Sequence, residues 1–380
     1  MIYLDNAATS LRKPDSVVKA VTEALTSLGN ASRGAHDSCM NTNRVIYNAR
    51  GKTAAFFNCS KENQVIFTNN STEALNIAIS GTLDPGDHVI TTELEHNSVL
   101  RPLYRAEKER GVTLSILRSD KKGCIDYTDL EKEIRPETKA IVCTHASNLT
   151  GNVIDIKRIG EIASRHNLLF IVDASQTAGS IPINMRESGI SLLCFTGHKS
   201  MLGPQGTGGL LIEGDIDVRP FKTGGTGVQS YRKEQPMEYP TRLEAGTLNG
   251  HGIAGLSAAI DFLNDTGIDK IHKYEIHLAD TFYDRIKEIP DLKIYGDMSD
   301  RVRCPIVTIN IGDMDSGIVA DELSYNYGIA VRAGAHCAPL MHKALGTDTQ
   351  GAVRFSFGYF NTVEECEKAA EAVKEIAERR

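Results

Sequence analysis

The chain has 380 residues, 41% hydrophobic and 24% charged, a composition that suits a water-soluble fold of one large domain plus a smaller one. A net charge of −7 argues against an extended surface for nucleic acid or anionic membrane, and the longest apolar run, Leu168 to Val172, is far too short to span a bilayer. The opening MIYLDNAATS lacks the features of a secretory leader, and eight cysteines are scattered without a CxxC pair, so the expectation is a cytoplasmic protein with reduced thiols and neither a disulfide framework nor a zinc cage.

From about residue 60 to 215, short apolar runs alternate with amphipathic stretches. Strands are predicted at Val65–Thr68, His88–Thr92, Thr113–Leu117, Ala140–Thr144, Leu168–Asp173 and Leu192–Thr196. Helices are predicted between several of them, at Thr72–Leu83, Ser98–Arg110 and Ile156–His166. Runs such as Ala140-Ile-Val-Cys143 are apolar throughout, as strands buried on both faces must be. The alternation predicts an α/β fold, a largely parallel sheet with helices on both sides. Residues 216–250, rich in Gly and polar side chains, are expected to be loops, followed by helices at Ile253–Leu263 and Lys270–Glu288. Strands at Ile306–Ile311 and Ala330–Arg332 come next. A final helix is opened by a Thr362–Glu365 capping box ahead of the apolar stripe Ala370, Val373 and Ile376. The last third therefore reads as a smaller α+β unit.

Chemistry concentrates at the strand ends. Lys199 follows a buried strand among small residues, where Schiff-base chemistry is accessible, and its neighbours Thr196 and His198 can donate to a phosphate. A surface lysine in a turn is the plain alternative. Asp173 ends a central strand, where ligands bind in open α/β sheets; it can pair with a protonated pyridine nitrogen or simply cap the next helix. Gln176 can reach a ring hydroxyl. Asn70 and Glu73 can form a capping box around Ser71 and Thr72, a natural phosphate cradle, although most capped helices bind no anion. His96 can stack on an aromatic ring or serve as a structural hydrogen-bonder.

Taken together, Asp173-x-x-Gln176 and Thr196-Gly-His-Lys199 resemble the class V aminotransferase family of fold-type I pyridoxal-phosphate enzymes. The resemblance runs from Tyr3-Leu-Asp-Asn6-Ala7-Ala-Thr9 through Ser71-Thr-Glu73, Glu95-His96, Ser147-Asn148 and Glu244-Ala-Gly-Thr247. It ends with Arg332-Ala-Gly-Ala-His336-Cys337-Ala338 and Val353-Arg354-Phe-Ser. It implies a large cofactor-binding domain over 15–258 and a small domain over 1–14 and 259–380. By this resemblance Lys199 holds pyridoxal 5′-phosphate as a Schiff base and moves the substrate's protons. Asp173 pairs with the pyridine nitrogen, Gln176 bonds the ring hydroxyl and catalytic His96 stacks on the ring. Ser71, Thr72, Thr196 and His198 bind the phosphate, joined by Thr247 from a partner subunit, so a homodimer is implied. Asn148 and Arg354 hold the substrate carboxylate, a task that suits a guanidinium fork, with Asn6, Ala7 and Arg332 also at the substrate.

Within that family, cysteine desulfurases carry a cysteine on a small-domain loop, and Cys337 is the candidate. Its flanking His336 and Arg332 are expected to favour a thiolate. The implied reaction converts L-cysteine to L-alanine and leaves sulfur on Cys337 as a persulfide for an outside acceptor. A metal site from His336, Cys337 and His342 lacks an obvious fourth ligand, so no metal is assigned. Two features depart from the family pattern: Pro339 follows Ala338 directly, where one further residue is usual, and the early loop reads Ser32-Arg33-Gly34 rather than having His before Arg-Gly. These departures keep a selenocysteine lyase, acting on L-selenocysteine, as the alternative reading.

Overall fold

The computed structural model describes residues 1–30, 36–300 and 302–379, so the Ser32-Arg33-Gly34 segment lies outside the described residues. Seven strands form the central sheet, in the order Val65–Thr68, Gly208–Ile212, Leu192–Thr196, Leu169–Asp173, Thr138–Thr144, His88–Thr92 and Thr113–Leu117. Pairing is parallel except at Gly208–Ile212, which runs antiparallel to both neighbours. That strand lies in the Gly-rich stretch after Lys199, where glycine obscured the apolar Leu210-Leu-Ile212 run.

Burial explains the apolar strands. Ile141, Cys143, Phe170, Val172, Leu193 and Phe195 pack on one face of the sheet, and Ala140, Val142, Ile171, Leu192 and Cys194 pack on the other. Successive side chains point to opposite faces, so a strand covered on both sides must be hydrophobic at every position. The predicted helices form as Ser71–Thr82, Asn97–Arg110 and Ile156–Arg165, the last capped by Asp155 accepting from the Arg158 N–H. Residues 216–249 contain no helix or strand, as expected. Helices Asp15–Ser27 and Asp37–Phe57, which the sequence reading did not single out, pack against the helix Gly250–Thr266. That last helix runs unbroken through residue 258.

A second, antiparallel sheet joins Arg332–Gly334, Ala352–Ser356, Ile306–Ile311 and Leu292–Tyr295. The expected strand at Ala330–Arg332 is split in two: Ile329–Ala330 pairs in parallel with Ile2–Tyr3, and Arg332 begins the next strand. The start of the chain is thereby fastened to residues near its end, and Asp5 continues the contact by bridging to Ser356. Thr362 and Glu365 form the complete capping box at the head of Val363–Glu378. Among the described residues, no helix is long and apolar enough to cross a membrane.

Candidate active site

Thr68, Thr144, Asp173 and Thr196 each end a strand of the central sheet at the same edge, and the loops that follow enclose a cavity of about 250 Å³. Its walls include Ser71, Thr72, His96, Lys199, Arg332 and Cys337. On one side stands the start of the helix Ser71–Thr82, whose first N–H groups have no partner within the helix. The Asn70 side chain caps it by accepting from the Glu73 N–H at 2.9 Å. The return bond expected of a capping box goes one residue further back, from the Asn69 N–H to Glu73 Oε2. Ser71 is buried and donates to Asp173 Oδ1 at 3.1 Å, and Ser175 adds its own N–H and hydroxyl to the same oxygen. Asp173 is thus held rigidly as an acceptor; a turn rather than a helix follows it, so there is no helix for it to cap. The helix start can approach the sheet this closely because residue 208 is glycine. A Cβ there would lie 2.6 Å from the Phe195 carbonyl oxygen and 2.9 Å from Asn70 Cα.

The turn bearing Lys199 is gripped from behind by the N-terminal segment. Four donors converge on the His198 carbonyl: the Ser10 N–H at 3.0 Å, Ser10 Oγ at 3.1 Å, Thr9 Oγ1 at 3.2 Å and Lys13 Nζ at 3.0 Å. Thr9 Oγ1 also lies 3.1 Å from His198 Nδ1. Burial brings the Lys13 ammonium down to about 8. Lys199 is likewise lowered to about 8, chiefly by burial, with Asp173 opposing the shift and Arg354 and Arg332 adding to it. A lysine so placed carries a usable fraction of free amine near neutral pH, as a Schiff-base nucleophile requires. None of Thr9, Ser10 or Lys13 was singled out for this grip, because their target lies about 190 residues away.

His96 caps the next helix: its Nδ1 accepts from the Ser98 N–H at 3.0 Å. Nδ1 is therefore a lone pair and the ring proton sits on Nε2. Burial, then Lys199, lowers the imidazole to about 4, so the ring is neutral. Beside it, Glu95 is fully buried, with Oε1 accepting from Thr92 Oγ1 at 2.7 Å and the Thr144 N–H at 3.0 Å. Burial raises that carboxyl to about 8.

His336 and Cys337, the latter also on the cavity wall, form the turn before the helix Pro339–Leu345, with φ of +51° and +57°. Left-handed backbone at a non-glycine residue costs on the order of 1–3 kcal/mol, so two in succession must be held by their surroundings. Asn148 Nδ2 donates to the His336 carbonyl at 2.7 Å, and the Asn97 N–H donates to the Cys337 carbonyl at 2.8 Å. Arg332 Nη2 lies 4.0 Å from Cys337 Sγ. His336 does not supply the second positive charge expected beside the thiol. Its ring is buried, with Nε2 on the Arg332 carbonyl at 3.1 Å, and burial pushes it down to about 2. Among the described residues, no group of three or more His, Cys, Asp or Glu side chains is arranged to hold a metal ion.

Arg354 is fully buried at the cavity wall, donating from Nη1 to the Asn148 carbonyl at 2.9 Å and from Nη2 to Asp5 Oδ1 at 2.8 Å. Gln176 lines the cavity and donates to the Ala7 carbonyl at 3.2 Å, while Ala7 itself is held by its N–H to Ser356 Oγ at 2.9 Å. Asn6 is not on the cavity wall: its amide donates to the Ser356 carbonyl and to Asn361 Oδ1, both at 3.0 Å. Thr247 is also absent from this cavity and lines a neighbouring recess with Asn69, Thr207 and Gly208.

The model of the family described as Aminotransferase class-V matches residues 2–368. The chain belongs to the class-V aminotransferase family. Within it, the chain is 36% identical to a "Probable cysteine desulfurase" of Methanothermobacter thermautotrophicus, over 99% of this chain and 94% of that one. It is 32% identical to a "Cysteine desulfurase" of Haloferax volcanii, over 98% and 88% respectively. The apo structure of a cysteine desulfurase from Thermococcus onnurineus NA1 superposes with a TM-score of 0.93 at 32% identity, covering 100% of this chain and 95% of that one.

The class-V family implies pyridoxal phosphate, and the cavity fits such a group. Three buried polar atoms on its wall lack any partner: Thr196 Oγ1, Asn148 Oδ1 and Arg354 Nε. Buried polar groups are costly to leave unpaired, so a polar occupant is expected there. A helix N-terminus with Ser71 and Thr72 suits a phosphate, and an anchored Asp173 suits a protonated ring nitrogen.

Proposed function

We propose that this class-V protein is a cysteine desulfurase that uses pyridoxal 5′-phosphate to convert L-cysteine to L-alanine, passing sulfur to Cys337 as a persulfide. The observation that carries the reading is that Cys337 and Lys199 line one cavity, with Arg332 Nη2 4.0 Å from the cysteine sulfur. Ser71, Thr72, Thr196 and His198 would hold the phosphate, Asp173 the ring nitrogen, Gln176 the ring hydroxyl and His96 the ring face. Thr247 completes the phosphate site from a second subunit, a role supported by its absence from the cavity of its own chain. The organisation proposed is a cofactor-binding unit over 15–258 and a smaller unit over 1–14 and 259–380.

When bound, the cofactor supplies an electron sink that acidifies the substrate α-carbon and loosens its Cβ–S bond. Lys199, with a pKa near 8, binds the cofactor and takes or returns the α-proton at its Nζ. Arg354 and the second N–H of Asn148 orient the substrate carboxylate, and Ala7 shapes its pocket. The Cys337 thiolate attacks the substrate sulfur as the Cβ–S bond breaks. An S–S bond forms, the electron pair stays on carbon, and its protonation completes alanine. Arg332 balances the charge on sulfur as this happens. An external thiol or acceptor protein must then collect the sulfur. A cytoplasmic setting is supported by all eight cysteines standing as free thiols.

The test offers cysteine and selenocysteine separately, under reductant, to wild type and to Cys337→Ala. Alanine and sulfide from wild type, lost in the variant, support the desulfurase. Turnover of selenocysteine alone would move the function to the lyase, a reading that the names of the relatives do not favour.

A further inference from the structure

Behind Cys337, two buried imidazoles lie within hydrogen-bond reach of each other, and one arrangement of protons satisfies all four ring nitrogens. His336 Nε2 faces the Arg332 carbonyl at 3.1 Å, a group that only accepts, so Nε2 carries the proton and Nδ1 is a lone pair. In that arrangement His342 Nε2, 3.4 Å from that lone pair, is the donor. His342 Nδ1 is then the acceptor for the Thr347 hydroxyl at 2.7 Å. The two rings lie nearly parallel, 7° apart in plane with centroids separated by 5.6 Å, and both are at least 98% buried. Both stay neutral, since burial lowers each imidazole.

This chain abuts strained backbone. His336 and Cys337 are consecutive left-handed residues, and the sheet side holds only their carbonyls, through Asn148 Nδ2 and the Asn97 N–H. On the other side the His336 ring is the anchor: the Arg332 carbonyl fixes its tautomer, and His342 holds its Nδ1 edge. His342 reaches that position because Pro339 follows Ala338 at once, so the helix Pro339–Leu345 begins directly after the turn. The His342 N–H bonds the Ala338 carbonyl at 3.1 Å, and its ring lies edge to edge with that of His336.

We propose that His342 is a positioning residue for the Cys337 sulfur, acting through His336 to keep the Cys337 turn in its left-handed form, with Sγ beside Arg332 on the wall of the cavity that Lys199 also lines. The inference rests on reading Cys337 as the sulfur acceptor, and it accounts for the shortened segment after Ala338. Without the His342 donor, His336 Nδ1 is left unpaired in a buried site, and the ring turns or the backbone relaxes.

The test compares wild type, His342→Leu, which removes the donor, and His342→Gln, which can return an N–H near the Nε2 position. Each is purified with cofactor bound. The readouts are kcat and KM for cysteine, and the rate at which iodoacetamide alkylates Cys337, mapped by mass spectrometry. For His342→Leu we expect KM within about threefold of wild type, kcat lower by on the order of tenfold or more, and an altered alkylation rate, because misplacing a reacting atom acts on the chemical step. His342→Gln should recover most of both. Wild-type kcat and alkylation in His342→Leu would overturn the proposal, as would equal losses in the Leu and Gln variants. If His342→Leu does not fold, Thr347→Val decides: it keeps the ring but removes the hydroxyl bonded to His342 Nδ1, and wild-type kcat and alkylation there would count against the proposal. Wild type that makes no alanine from cysteine would instead refute the desulfurase reading, and the alkylation comparison would still judge His342.

Discussion

Arg354 and Asp5 form a 2.8 Å ion pair between residues 349 apart in the chain, with the guanidinium wholly buried. This pair lets the N-terminal segment hold the proposed carboxylate-binding arginine in place, while Arg354 Nε stays without a partner on the cavity wall. Arg354→Lys keeps the charge but loses the fork. Its KM for cysteine should rise on the order of ten- to a hundredfold, the value of one or two charge-assisted hydrogen bonds. Arg354→Met leaves Asp5 unpaired and should lower unfolding free energy by about 3 kcal/mol, read from denaturant melts. Unchanged KM in Arg354→Lys would remove the arginine from substrate binding.

Lys13 offers a test that separates function from stability. Its ammonium grips the His198 carbonyl, yet its pKa of about 8 lies below the value near 10.4 of the unfolded chain. A lowered lysine pKa means the charged form costs the folded state, and that cost is fully present below about pH 8. Lys13→Met should therefore melt no lower than wild type at pH 7, while its cofactor affinity falls several-fold through a looser Lys199 turn. The affinity gap should narrow as pH rises past about 8, where wild type loses the same charge. Cofactor titrations at pH 7 and pH 9 would check both statements.

Glu275 is fully buried; its Oε2 accepts from Ser180 Oγ at 3.3 Å, and burial raises the carboxyl to about 8. In the unfolded chain a glutamate ionises near pH 4.3. Between about pH 4.3 and 8 the folded protein keeps a proton that the unfolded chain has released, so this group removes stability as pH rises through that window. Glu275→Gln abolishes the effect. The difference in Tm, variant minus wild type, should grow steadily from about pH 5 to pH 8, and a difference independent of pH would contradict the assignment.

At position 208 the prediction is steric. The added methyl of Gly208→Ala would meet the Phe195 carbonyl and Asn70 backbone at distances that real Cβ atoms do not adopt. The sheet and the helix start must separate, at about 1–3 kcal/mol for overpacking in a close-fitted site. Thermal melts should show that loss together with weaker phosphate binding. A variant that melts like wild type would mean that the Asn70 turn is freer than its contacts indicate.

What the sequence determined on its own was the local pattern: apolar runs of strand length, amphipathic stretches between them, and Lys199 and Asp173 at strand ends. These follow from burial, which acts residue by residue and leaves a readable period. The spaced motifs carried the family. Tertiary structure alone decided the rest. The Gly208–Ile212 strand exists because two neighbouring strands satisfy its backbone, against its local glycine content. His336, expected to lend charge to Cys337, is instead neutral because the folded turn buries its ring, near Arg354 and against the Arg332 carbonyl. Thr9, Ser10 and Lys13 reach His198 from a segment whose first strand pairs with Ile329–Ala330. Hydrogen bonds between groups tens or hundreds of residues apart leave no periodic trace in a chain, since their geometry is set by packing of whole elements.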